Sequence, residues 1–178
     1  MTNQISSSSY QTASPSSLKG SGWLAFLSGL ILGFLFMGAL MWFTMPGMMI
    51  KVHRSRFDSV DQTCQELKKS IEQAGWNCPA IRDMTQTLAK HGVTLDRPVR
   101  IVELCQAHYA QKVLTTNPEV STLMPCAFGV YKGTDGHVYI SRMNTGLMSK
   151  MFGGVIAEVM GKHVAKDEEK ILDAVVAE

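Results

Sequence analysis

Cys105 and Cys126 stand with 20 residues between them, one closing a strand-like run and the other opening the next. If those strands pair antiparallel, both thiols lie at one end of a sheet. A disulfide, a metal ion or a sulfur relay would each suit such a pair, and a disulfide needs Cα atoms within about 7 Å. Two buried, unreactive core thiols fit the pattern equally well. Glu103 alternates onto the strand face of Cys105 and could act as a base. His108 follows Cys105 by three residues, a spacing at which one metal is reachable or an imidazole can lower a thiol pKa. A lone His at a helix start is more commonly a cap or surface group. Met143, Met148, Met151 and Met160 add soft donors, with Met148 and Met151 on one helical face. A four-residue hairpin loop would set Cys126 opposite Met143. Thiolate and thioether groups suit Cu(I) or an axial haem position, although Met at helical spacing is usually core filler. The sequence names no cofactor.

The motifs that would fix an activity are missing. The four cysteines, Cys64, Cys78, Cys105 and Cys126, form no CxxC pair. No GxxxxGK[ST], GxGxxG or HExxH occurs. The net charge is only +2, and no basic stripe alternates with aromatics, so nucleic acid is not the expected partner. A Cys105–His108 nucleophile pair is the strongest enzymatic reading and is unspecific. The inventory weighs against catalysis.

Position in the cell is more legible. No charged residue occurs between Lys19 and Lys51, and Trp23 to Met45 is almost continuously apolar. About 20 such residues span a bilayer. Trp23 and Trp42 lie near the two ends, spaced as interfacial anchors would be. A single transmembrane anchor over residues 20–47 is the expectation, with membrane lipid as its partner and Pro46-Gly47 as its stop. A cleaved signal peptide is the weaker reading, since the apolar core is long and no small-x-small site follows it. Gly22, Ala25, Gly29 and Gly33 share one helix face. Such a face allows two copies to approach and form a homodimer, though glycine is common in membrane helices anyway. Residues 1–19 read as a disordered Ser/Thr-rich tail. Lys51, Arg54 and Arg56 outnumber Lys19, which puts the C-terminal domain on the cytoplasmic side of the membrane, with the opposite side as the alternative.

Residues 48–178 are long enough for a core of their own. Met48 to Ser55 reads as a strand. Asp58 or Ser59 caps a helix whose Val60, Cys64, Leu67, Ile71 and Ala74 recur at helical spacing. A small irregular unit, a strand ending at Cys105 and a helix from Gln106 follow. Cys126 to Lys132 and His137 to Met143 form a hairpin about an Asp-Gly turn. A helix from about Leu147 closes the chain, with Asp167 to Val176 as its end or as a separate segment. This order argues an α+β domain with an antiparallel sheet covered by helices on one side.

The stretches "VELC", "LMPCAFGVY", "DGHVYISRMNTGLMSKMFGG" and "VIAEVMGK" resemble the Domain of Unknown Function 302 family. The "MPGMM" directly after the anchor is similar to its membrane-anchored bacterial branch. The resemblance covers about residues 46 to 173. It implies a TBP-like curved antiparallel sheet with helices packed on it, often paired into dimers, in bacteria and archaea that often metabolise sulfur. It implies no established activity. The two cysteines typical of the family match Cys105 and Cys126, while Gln106-Ala107-His108 stands where relatives often carry Asn-Pro.

Together these features and the resemblance give a binding or carrier domain anchored in a bacterial inner membrane, cytoplasmic with the periplasm as the alternative, that handles sulfur, thiol redox or a soft metal or haem through Cys105 and Cys126. The alternative is a non-catalytic accessory subunit of a membrane complex, with the Met-rich end as the partner surface.

Overall fold

The structure, a computed structural model, describes residues 21–177. The tail expected at residues 1–19 lies outside them. Helix α1 runs from Ser21 to Met49, past the Pro46-Gly47 stop read from the sequence. Its stretch Ala25–Phe43 has a mean hydropathy of 2.1, and none of it is buried. It is long and apolar enough to cross a bilayer, as both signal sequences and single anchors are.

From Thr44 the chain forms a second unit. It holds a five-stranded antiparallel sheet in the order β1-β5-β4-β3-β2. The strands are β1 (Ile50–Arg54), β2 (Ile81–Asp83), β3 (Val99–Leu104), β4 (Cys126–Lys132) and β5 (Val138–Met143). Alternation sends Val102, Leu104, Phe128, Val130, Val138 and Ile140 to one face, where each is almost wholly buried. Helix α2 (Val60–Gln73) covers that face against β3 and β4. Ser59 caps α2 by accepting from the Gln62 N–H. Of the residues read as apolar at helical spacing, Val60, Cys64, Leu67 and Ile71 are buried, while Ala74 is the C-cap and is exposed. Helix α7 (Ala165–Asp173) packs on α2, and the Ser70 hydroxyl donates to the Ile171 carbonyl at 2.7 Å. Helix α3 (Met84–Ala89) packs on β3, helix α4 (Ala107–Thr116) packs on a 3-10 segment, Pro118–Leu123, and that segment leads to a cis Met124–Pro125 peptide.

The opposite face of the sheet carries Ile50 and Val52, both more than half exposed. The α+β expectation with its antiparallel sheet is met.

Two details differ from the sequence reading. The hairpin pairs Lys132 with Val138 and Phe128 with Arg142, so its loop is one residue longer than the four expected. A slip of one residue moves each side chain to the other face. Met143 therefore pairs with Ile50 of β1 and leans to the open face, and does not stand opposite Cys126. The closing helix is also not continuous. It breaks between α5 (Thr145–Phe152) and α6 (Gly154–Glu158), where Gly153 and Gly154 take φ of 69° and 53°. That backbone region suits glycine because it carries no Cβ. The chain then widens to a π-helical stretch, Val159–Val164, before α7. Gly161 lies in it, and a Cβ there would come within 2.5 Å of the Ser149 hydroxyl. Glycine is what lets α5 press against this stretch.

Candidate functional site

Where β4 starts and β5 stops, the sheet ends against α5 and the 3-10 segment. A cavity of about 300 Å³ opens there. That is the low end of small-molecule sites. Leu123 enters it from the end of the 3-10 segment, Met124 from the residue after it, and Cys126 from the first residue of β4. Met148 and Phe152 come from α5, four residues apart and so on one helical face. Met160 comes from the π-helical stretch, and Met143 and Ile50 from the paired ends of β5 and β1. Four thioethers and one thiol thus line one space.

One wall is polar. Val138, Ile140 and Arg142 alternate onto the same core face, so Arg142 occupies a position that would ordinarily be apolar. It is 4% exposed. Its Nη1 donates to Glu168 Oε2 at 2.8 Å, and the same oxygen accepts from the Thr145 hydroxyl at 3.0 Å. Glu169 approaches Arg142 Nη2 at 3.5 Å. Arg142 Nε has no hydrogen-bond partner among the described residues. Burial pushes the Glu168 carboxyl above its ordinary value, and this outweighs the opposing pull of Arg142.

Cys126, Cys64 and Cys78 are not activated. Burial, assisted by the charge of Glu168 and by Cys105, pushes the Cys126 thiol up to about 12. Burial likewise raises Cys64 to about 12 and raises Cys78. All four cysteines are free. At neutral pH Cys126 is a neutral, polarisable wall group and not a nucleophile.

Of the residues singled out in the sequence, Cys126, Met143, Met148 and Met160 come together on this cavity. Cys105 does not line it. Cys105 lies behind Cys126 and shares with it, Trp76 and Tyr109 a second space of only about 20 Å³. Its backbone is tied to Asn77 by two bonds of 2.9 Å. Glu103 is buried and held by the Arg82 guanidinium, away from the cavity. His108 is exposed on α4, and Met151 is 59% exposed, also outside the cavity. No group of three or more His, Cys, Asp or Glu able to hold a metal ion occurs among the described residues. Sequence reasoning missed Arg142, Glu168, Thr145 and Met124. One signal was available, since an arginine in phase with Val138 and Ile140 must bury its charge and find a partner.

A family model described as a domain of unknown function, DUF302, matches residues 51–178, which includes the whole cavity wall except Ile50. The chain belongs to the DUF302 family. The crystal structure of an uncharacterized conserved DUF302 protein from Bacillus stearothermophilus is similar, with a TM-score of 0.64 at 23% identity. The alignment covers 71% of this chain and 98% of that one. That likeness supports the DUF302 fold alone. No curated protein matches the chain.

Proposed function

We propose that this DUF302 protein is a single-pass, membrane-anchored binding domain of the bacterial inner membrane. Its site is the cavity at the end of β4 and β5. The reading rests on one observation above the others: Met124, Cys126, Met143, Met148 and Met160, from separate elements, converge on one space. Thioethers make an adaptable, polarisable surface for an irregular apolar cargo. Cys126 is the working thiol, a soft wall contact for a cargo held without a covalent bond, and Cys105 backs it. Lys51, Arg54 and Arg56 after the apolar run favour a cytoplasmic domain over a periplasmic one.

An accessory-subunit role draws support from a different observation. Met48, Ile50, Met151 and Phe152 are apolar and exposed, and such surfaces often meet partners.

Native mass spectrometry of the full chain, extracted in detergent from its own membranes, separates the two. A small-molecule adduct is expected, and Met148→Trp, which fills the cavity, should remove it while the circular dichroism melt persists. A bare chain that carries a second protein would replace this reading with the accessory role. An adduct retained in Met148→Trp would place the cargo elsewhere.

A further inference from the structure

We infer that the mouth of this cavity rests on the lipid bilayer, with its apolar rim set among the headgroups, so that the cavity opens onto lipid and not onto water. This rests on α1 being a membrane anchor, as proposed above. Three observations carry it.

The first is where the exposed apolar surface lies. Ile50, Leu123, Met143 and Phe152 line the cavity, yet each is exposed. Met151 adjoins Phe152 on α5, Met48 precedes β1, and both are exposed as well. Among the other described residues from Thr44 onward, only Val52 and Val93 are large, apolar and exposed. Apolar surface gathered at one place marks a docking face.

The second is the route by which the chain reaches that rim. The apolar stretch of α1 ends at Phe43, and β1 opens at Ile50. Even fully extended, this connection spans only about 25 Å. Its last residues are tied to the rim. The Asn144 N–H donates to the Met49 carbonyl at 2.7 Å, and Asn144 Nδ2 donates to the Met48 carbonyl at 2.9 Å. The same Asn144 caps α5 by accepting from the Leu147 N–H, and Ile50 pairs with Met143. The chain therefore enters the domain at the rim itself, and an anchor that crosses a bilayer keeps the rim near the bilayer surface.

The third is charge. Lys150 stands beside Met151 and Phe152, is exposed and pairs with no carboxylate among the described residues. Apolar tips next to a free ammonium suit a bilayer interface, where the tips enter the acyl boundary and the cation meets phosphate.

The test is methyl NMR of the full chain, with carbon-13-labelled methionine methyls, in nanodiscs of phosphatidylcholine and phosphatidylglycerol. Spectra are compared with and without a lipid that carries gadolinium on its headgroup. The Met143 and Met151 signals should be lost with gadolinium. Met84, which follows β2 at the sheet edge opposite β1, should keep its signal. Lys150→Glu/Met151→Glu alters two exposed side chains and should restore the Met143 signal. Survival of the Met143 and Met151 signals in the parent, or equal loss at Met84, would overturn the docking and leave the rim to a partner protein. Alkaline carbonate washing of the source membranes tests the anchor separately, and the full chain should stay in the membrane. Its release, or a chain cleaved of residues 21–43, would overturn the anchor and the docking with it.

Discussion

Glu168→Leu is expected to destabilise the domain by about 3–5 kcal/mol, the usual cost of stranding one partner of a buried ion pair. Arg142 and Glu168 are both almost fully buried, so water cannot take over from the lost carboxylate. Thr145 would lose its acceptor in the same step. The double variant Arg142→Met/Glu168→Leu should recover most of the loss. Burial outweighs the attraction of Arg142 at Glu168, and replacing a whole buried pair by apolar groups of similar size is often neutral. Urea unfolding of the detergent-solubilised chain, with both single variants and the double, measures the coupling. A Glu168→Leu loss below about 1 kcal/mol would mean that the pair is solvated and surface-like.

The second large effect is on thiol reactivity. At pH 8 a thiol titrating near 9.0 is roughly one-tenth ionised, whereas one at about 12 is ionised to roughly one part in ten thousand. The more basic thiolate is intrinsically more nucleophilic, which offsets part of that gap. Cys126 should therefore react with iodoacetamide ~50-fold more slowly in the folded chain than in urea. Cys64, which is buried as well, should be at least as slow. Peptide mass spectrometry over a time course gives both rates. Equal rates for Cys126 folded and unfolded would mean a stabilised thiolate, and the thiol-enzyme reading would return.

Much of this architecture was legible because it follows from local periodicity. The α2 face of Val60, Cys64, Leu67 and Ile71 repeats at helical spacing and is buried as that spacing requires. The hairpin was visible from Asp135-Gly136 between alternating runs. Its register was not, since one more loop residue changes which faces meet and leaves the strand pattern unaltered. The site was half legible for a related reason. Cys126 and Met148 were noticed by residue type, but what joins them to Met124, Met160 and Glu168 is tertiary packing between segments far apart in sequence. The break at Gly153 and the π-helical widening after Glu158 orient α5 and Met160, and neither has a spacing signature.

The most direct test of the cavity as the binding site is methyl NMR of the full chain with carbon-13-labelled methionine methyls, titrated with methyl octanoate. The methyls of Met124, Met143, Met148 and Met160 should shift together and saturably, while exposed Met151 stays in place. Shifts confined to Met151 and other exposed methyls, with those four unmoved, would contradict it.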